Sequence, residues 1–354
     1  MANLKLDYLE SDLRNCKLCE WRCGVDRLAE VNGKIGRLTK GVCGNFIPMV
    51  ASSQLHPAPP ASFDAFLTGC NFKCLFCQNW SISMYESSSQ KQDRDVEGYY
   101  DPWLWAELAL ATLNSPEAQF INADRLFFTG GEPTCSLPWV EQVVQAARQI
   151  NPETKVNFDT NGFLTKSSLN RVLDFATSIT YDLKAFNSKL FSALTGAKVT
   201  PVLRNLKYIL KNSPDSLWEV RVMVIPGVHE EDVHGMCKFL ADINPDVRLN
   251  FLGFRPNFVM EGYMGATKKL INHCLSVATD YDLSNASWSG RIGLGGALSN
   301  EVKKIIDKLD LPSHIAIPTG FAQWAGCKSE NRLCGSCPTN DDCAIKNYKA
   351  TSFQ

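Results

Sequence analysis

The chain has 354 residues, of which 36 are basic and 37 acidic, so its formal net charge at pH 7 is −1. This balance gives no electrostatic signal for a nucleic-acid partner or an anionic membrane surface, and we expect neither. The first residues lack the apolar core of a signal peptide, and no run reaches the length of a membrane span, which predicts a cytoplasmic protein. Fourteen cysteines in such a chain favour metal binding over disulfides, because a reducing compartment keeps thiols free.

Short β-rich runs alternate with amphipathic helical stretches through the middle of the chain, which predicts an α/β fold of six βα units around a parallel sheet. The predicted strands cover 63–69, 125–130, 155–160, 178–184, 218–227 and 247–256. A helix is predicted after each strand, over 101–113, 137–150, 165–176, 200–212, 230–243 and 267–281. Polar residues at the carboxyl ends of these strands are candidates for a functional site, because parallel α/β folds build their sites there.

The cysteines divide the chain into three parts. Residues 1–60 form a Cys-rich N-terminal segment, 61–304 carry the βα units, and 305–354 form a Cys-rich C-terminal tail that we expect to bind metal. Residues 57–62 have the composition of a linker that leads into the first strand.

The first predicted strand runs into the sequence GCNFKCLFCQN, which contains Cys70, Cys74 and Cys77. Three thiolates can hold three irons of a four-iron four-sulfur cluster and leave the fourth iron open to a substrate or cofactor. The alternatives are a zinc knuckle that takes a fourth ligand from elsewhere, and buried free cysteines. A zinc-knuckle binding module is therefore a second class of function to test.

Two flanking sets of four cysteines could each hold one tetrahedral metal or one cluster: Cys16, Cys19, Cys23 and Cys43, and Cys327, Cys334, Cys337 and Cys343. Thiolate ligands alone do not distinguish iron from zinc. We expect an auxiliary iron–sulfur cluster in the C-terminal set and a zinc, an iron or a cluster in the N-terminal set. Structural zinc in both sets, or a site that mixes their ligands, are the alternatives. Cys135 is expected to be a buried thiol, with a reactive or ligating role as the alternative.

The spacing Cys70-x3-Cys74-x-Phe76-Cys77, followed by GGEP at 130–133 one strand later, resembles the radical S-adenosylmethionine (radical SAM) superfamily. Together with DTNG at 159–162, YDLKAF at 181–186 and RVMVIPG at 221–227, it resembles glycyl-radical-enzyme activases of the pyruvate formate-lyase activase type and AmmeMemoRadiSam-type proteins. The resemblance implies a partial (β/α)6 TIM-like barrel over 61–304, a 4Fe-4S cluster held by the cysteine triplet, and bound S-adenosylmethionine.

The resemblance also implies a set of cofactor-binding residues: Phe76, Gly130, Gly131, Glu132, Asp159, Thr160, Asn161, Lys184 and Arg221. The GGEP segment would receive the amino group of the methionine moiety, the segment 159–161 would lie beside the ribose, and Lys184 and Arg221 would face the carboxylate. Asp159 and Asp182 match residues that hold a monovalent cation, although an ion pair from Asp182 to Lys184 or Arg221 is the alternative. Relatives often carry a His within the stretch that corresponds to 249–256, where this chain has none.

The function implied is an oxidoreductase that reductively cleaves S-adenosylmethionine to a 5′-deoxyadenosyl radical, which abstracts hydrogen from a carbon of a protein or peptide substrate. Such an enzyme performs a post-translational modification and takes its electron from a donor such as flavodoxin or ferredoxin. The alternative enzyme is a cobalamin-dependent radical methyltransferase that acts on a protein residue. The five histidines are scattered, and we expect structural or surface roles for them.

Overall fold

A computed structural model describes residues 7–31, 34–35, 42–83, 96–293 and 295–324. The C-terminal cysteine set, Cys327, Cys334, Cys337 and Cys343, lies outside the described residues, so its auxiliary site stays a prediction. The chain divides into two compact units. Unit 1 comprises Met1–Asn71 with Asn79–Ile179, and unit 2 comprises Phe72–Gln78 with Thr180–Gln354. The domain boundaries expected at residues 60 and 304 remain predictions.

Unit 1 begins with the Cys-rich segment and continues into the first βα units. Its strands are β1 Glu30–Val31, β2 Lys34–Ile35, β3 Val50–His56, β4 Ser62–Leu67, β5 Arg125–Gly130 and β6 Lys155–Thr160. Its helices are α1 Asp7–Leu13, α2 Trp80–Ser83, α3 Pro102–Leu113, α4 Pro116–Phe120, α5 Leu137–Ile150 and α6 Lys166–Phe175, and a 3-10 turn covers Pro133–Ser136. Strands β3 to β6 are neighbours in that order, with β3 antiparallel to β4 and the others parallel.

The core of unit 1 is aromatic and lies between this sheet and helices α3 and α5. The ring of Trp105 on α3 lies 5.6 Å from both Phe63 on β4 and Trp139 on α5, and 5.7 Å from Phe128 on β5. Helix α3 starts at its Pro-containing first turn because the Asp101 carboxylate caps the amides of the next residues. These buried rings pack β4 and β5 against the two helices.

Strand β7, Ser178–Asp182, carries the chain from unit 1 into unit 2. The remaining strands of unit 2 are β8 Leu217–Val224, β9 Leu249–Gly253 and β10 Ala286–Gly290. Its helices are α7 Ser188–Thr195, α8 Val199–Asn212, α9 Asp232–Ala241, α10 Lys268–Asp280, α11 Asn300–Ile306 and α12 Ser313–Trp324, with 3-10 turns at Pro214–Ser216 and Phe258–Met260. Strand β9 pairs in parallel with β8 and with β10.

The α/β class is confirmed, because each of the six predicted strands is present and each predicted helix follows its strand, with helix bounds within about two residues of those predicted. The order of β4, β5, β6, β7, β8 and β9, each with a helix after it, is that of six βα units of a partial TIM-like barrel. Strands β3 and β10 were not predicted. Among the described residues, no helix is both long enough and apolar enough to cross a membrane.

Candidate active site

The glycines of the GGEP segment lie against the end of the neighbouring strand. A Cβ atom on Gly131 would lie 2.0 Å from the carbonyl oxygen of Gly69, and one on Gly130 would lie 2.3 Å from the backbone nitrogen of Leu67. Gly130 also has a φ of +110°, a conformation that L side chains rarely adopt. The amides of Gly131 and Glu132 donate to the carbonyls of Leu67 and Gly69. Both glycines are therefore required for the turn after β5 to pack against the chain that leads into Cys70.

The carboxylate of Glu132 lies at the centre of a buried hydrogen-bond network. The side chain is 1% exposed. Its Oε1 accepts from the Thr134 amide at 3.1 Å, the Thr134 hydroxyl at 2.5 Å and the Thr160 hydroxyl at 2.8 Å, and its Oε2 accepts from the Asn161 amide at 2.8 Å. Burial raises the pKa of Glu132 to about 7, and the donors counteract only part of that effect. Glu132 thus ties the turn after β5 to the end of β6.

The side chain of Asn161 connects this network to the first cysteine of the triplet. Its Nδ2 donates to Asn71 Oδ1 at 2.7 Å and to the Cys70 sulfur at 3.9 Å. Its Oδ1 accepts from the amide of Phe163 at 3.1 Å, which closes a tight turn after β6. Asn161 is buried, and the Nδ2 of its side chain faces the triplet loop. A contact of Asn161 with the ribose of the cofactor stays a prediction.

Asp159 and Thr160 occupy the end of β6 together with Asn161. The Asp159 carboxylate accepts a hydrogen bond of 2.7 Å from the hydroxyl of Thr129 on β5, and the Thr160 hydroxyl donates to Glu132. Unit 1 therefore brings together Cys70, the GGEP acid and the DTNG residues at the carboxyl ends of three consecutive parallel strands, as expected for an α/β site.

In unit 2 the predicted cation-binding aspartate is engaged in ion pairs. Asp182 accepts from Lys184 Nζ at 2.7 Å and from Arg221 Nε at 3.0 Å. Burial opposes ionisation of Asp182, but the two cations outweigh it and hold the pKa below its ordinary value. This is the ion-pair alternative that the sequence left open. The cation site of Asp159 with Asp182 and the carboxylate contacts of Lys184 and Arg221 stay predictions.

The segment that carries Lys184 is fixed by two buried residues of unit 2. The amide of Ile225 donates to Nδ1 of His229 at 3.1 Å, which leaves Nε2 as the donor to the Lys184 carbonyl at 3.1 Å. Burial lowers the pKa of His229, so the ring is neutral in this role. Asp232 accepts from the amides of Phe186 and Asn187, both at 2.7 Å.

The other two cysteines of the triplet belong to unit 2. The backbone amides of Lys73 and Leu75 bond the last carbonyls of α7, and Phe76 is almost fully buried. Burial raises the pKa of Cys74 to about 12, although Lys184 counteracts this rise. The amide of Cys77 donates to the carbonyl of Cys74. Phe76 therefore packs in the core of this unit, and its contact with a cofactor stays a prediction.

Two of the N-terminal cysteines, Cys16 and Cys43, lie near the fully buried Arg27. Arg27 Nη1 donates to the Cys135 carbonyl at 2.8 Å and to the Cys16 sulfur at 3.7 Å. A hydrogen bond from the Cys135 thiol and the charge of Arg27 lower the pKa of Cys43, and a hydrogen bond from Cys23 together with Arg27 lowers that of Cys16. Cys135 is thus a buried thiol, as expected, and it lies next to the N-terminal set.

Within the part of the chain that the structure describes, no three His, Cys, Asp or Glu side chains form a group placed to hold a metal ion. The metal-binding roles of the cysteine sets and of Asp159 and Asp182 therefore stay predictions. The surroundings of Cys70 nevertheless fit an iron–sulfur ligand, since the side-chain amide of Asn161 donates to its sulfur.

Sequence reasoning did not identify Arg27, Asn71 and Asp232. Asn71 lies inside the triplet motif, but its role depends on a partner ninety positions away. Arg27 follows the N-terminal cysteines, and only its complete burial distinguishes it from a surface cation. Asp232 starts helix α9, where an acidic residue is ordinary, so nothing in its surroundings along the chain indicates that it holds a distant loop.

Comparison with known proteins assigns this site to a family. Residues 65–240 match the model of the radical SAM superfamily. An uncharacterized protein of Methanocaldococcus jannaschii is 22% identical over 292 residues, with 80% of each chain covered. Pyruvate formate-lyase 1-activating enzyme of Escherichia coli K12 is 24% identical over 205 residues, which cover 55% of this chain and 75% of that protein.

Among solved structures, a domain of pyruvate-formate lyase-activating enzyme from Bacteroides vulgatus is 20% identical, with a TM-score of 0.40. The match covers 48% of this chain and all of that domain. The motif residues, the βα order and the family match agree over the same stretch of sequence. Residues 65–240 of this chain belong to the radical SAM superfamily.

Proposed function

We propose that this chain is a radical SAM enzyme that acts on a protein or peptide substrate. One observation carries the proposal. The backbone amide of Asn161 donates a hydrogen bond to Glu132, and its side-chain amide donates one to the sulfur of Cys70. These bonds join the three motif segments that follow β4, β5 and β6. The protein substrate is supported by the similarity to a relative that is named as the activating enzyme of pyruvate formate-lyase 1.

When bound at the three cysteines, a 4Fe-4S cluster would supply the electron for reductive cleavage of S-adenosylmethionine, and this chemistry would serve hydrogen abstraction from a carbon of the substrate. The chain contributes the binding and orientation. Cys70, Cys74 and Cys77 would leave one cluster position open, and the glycines of GGEP pack the turn that carries Glu132 against the chain leading into Cys70. In unit 2, Lys184 and Arg221 provide positive charge for the cofactor carboxylate, and Asp182 orients both of them.

The electron is proposed to come from a flavodoxin or ferredoxin. The auxiliary metal, whether an iron–sulfur cluster or zinc in the flanking cysteine sets, is part of the same proposal. Cobalamin is required only by the methyltransferase alternative, which no contact among the described residues favours.

The test is anaerobic reconstitution with iron and sulfide, followed by measurement of iron, zinc and cobalt per chain and of the products of S-adenosylmethionine after reduction. We expect about four irons at the triplet and release of 5′-deoxyadenosine. Cys70→Ala should abolish both, whereas Cys237→Ala, which removes a buried thiol on α9, should abolish neither. Zinc without cleavage would refute the proposal in favour of a zinc knuckle, and S-adenosylhomocysteine with bound cobalt would indicate the methyltransferase.

A further inference from the structure

The amides of Asn161 and Asn71 have orientations that their hydrogen bonds determine. The backbone amide of Phe163 can only donate, so the atom of Asn161 that faces it is Oδ1 and the other is Nδ2. That Nδ2 faces both Asn71 and Cys70, so the atom of Asn71 on this side must be the acceptor Oδ1. The two N–H bonds of the Asn161 amide are therefore divided between one oxygen and one sulfur.

Asn71 is held in place from its backbone as well. Its carbonyl accepts a hydrogen bond of 2.8 Å from the indole nitrogen of Trp21. The side chain is 1% exposed, and besides its bond to Asn161 it is within hydrogen-bonding reach of the Cys19 thiol. These contacts hold the Asn71 side chain with its Oδ1 facing the Asn161 amide.

We propose that Asn161 is the hydrogen-bond donor to the cluster ligand Cys70, that Asn71 positions it, and that this N–H···S bond raises the reduction potential of the cluster. The inference rests on the proposed function, because it requires a cluster at the triplet. An N–H dipole directed at a cysteine sulfur stabilises the more negative, reduced state of the cluster, and hydrogen bonds to the sulfurs are one determinant of cluster potential.

The same amide connects the potential to the cofactor site. The backbone of Asn161 donates to Glu132, the predicted receptor of the cofactor amino group, while its side chain donates to Cys70. A shift of this one residue therefore alters both the cluster ligand and the GGEP acid. Asn71 bonds the side-chain amide of Asn161 and not its backbone amide. A change at Asn71 therefore tests the effect on the cluster ligand separately from the effect on Glu132.

The test is a potentiometric titration of the reconstituted protein, followed by electron paramagnetic resonance of the reduced cluster. Asn161→Ala should move the midpoint to a more negative potential at unchanged iron and sulfide content, and Asn71→Ala should move it in the same direction by less. Asn161→Asp, which keeps the acceptor for Phe163 but adds a negative charge, should shift it further. The matched control is Asn205→Ala, which removes an equally buried amide on α8 that pairs with Arg204.

The inference is overturned if the midpoints of Asn161→Ala and Asn71→Ala equal that of the wild type, or if only the charged variant shifts. It is also overturned if both alanine variants fail to assemble a cluster that the wild type assembles, because the amides would then serve in folding. If only Asn161→Ala fails to assemble a cluster, the midpoint potential of Asn71→Ala tests the inference: a more negative value supports it and a value equal to that of the wild type overturns it. A wild-type protein that takes up no cluster refutes the proposed function instead.

Discussion

Replacement of Glu132 by glutamine tests whether burial or hydrogen bonding has the larger effect on the pKa of this carboxyl group. Its pKa of about 7 lies above the ordinary value of 4.5, so between these pH values the native state holds a proton that the unfolded state has released. The native state is then stable at low pH and loses stability as the pH rises toward 7. A pKa difference of about 2.5 between the native and unfolded states corresponds to a total change of about 3.4 kcal/mol in the free energy of unfolding.

Most of that loss falls within an accessible range. Between about pH 5.5 and pH 8.5 the wild type should lose about 2 kcal/mol of unfolding free energy relative to Glu132→Gln. Glutamine also places an NH2 group where one carboxylate oxygen accepted, which costs about 1–3 kcal/mol, but this cost is the same at both pH values and cancels in the comparison. Every other titrating group is shared by the two proteins.

The assay is urea unfolding of the metal-free protein under reducing, anaerobic conditions at both pH values. Glu107→Gln, on an exposed face of α3, serves as the control for a Glu-to-Gln change as such. If the difference in unfolding free energy between the wild type and Glu132→Gln is the same at both pH values, the pKa of the carboxyl group lies near its ordinary value. The four donors around it would then outweigh its burial.

Three further substitutions test the packing of the site by urea unfolding. Gly131→Ala should lower the free energy of unfolding by about 3 kcal/mol or prevent folding, because its Cβ would overlap a backbone carbonyl. A Cβ at Gly262 has no neighbour within 4 Å, so Gly262→Ala should be neutral. Equal losses in the two variants would contradict the close approach at Gly131. Asp232→Ala leaves two backbone amides without acceptors and should lower the free energy of unfolding by about 1–3 kcal/mol for each. The exposed Asp242→Ala should cost less than about 0.5 kcal/mol. Similar losses in the two variants would show that Asp232 does not stabilise the loop through these bonds. Asp182→Asn should cost about 2 kcal/mol, because two partly buried cations lose their counter-charge, and an unchanged stability would show that the ion pairs contribute nothing.

Local pattern predicted the six βα units because each strand has a short apolar run and each helix a buried stripe at helical spacing. Of the four strands that were not predicted, β3 and β10 border the predicted strands, and both lack that signal. Strand β3 contains the polar run Ser52–Ser53–Gln54, and it is a strand because it pairs antiparallel with β4. Strand β10, ASWSG, has no buried residue and is defined by its pairing with β9.

The motif residues were recognisable, but their contacts were not. The alternative of an Asp182 ion pair was open from the sequence, and the structure has it with both Lys184 and Arg221. Spacing could not show that the Asn161 amide turns toward Cys70, because the two residues are far apart in sequence and meet only at the edge of the sheet.

The sequence by itself determined the α/β class, the order of the βα units and the radical SAM motifs, since these depend on local periodicity and on residues close together along the chain. Only the tertiary structure decided which side chains meet. The burial of Glu132 and the division of the Asn161 amide between Asn71 and Cys70 come from strand ends brought together by the sheet. Arg27 likewise donates to the carbonyl of Cys135, which is 108 positions away along the chain. Hydrogen bonds and desolvation act over a few ångströms in space, and sequence separation carries no information about them.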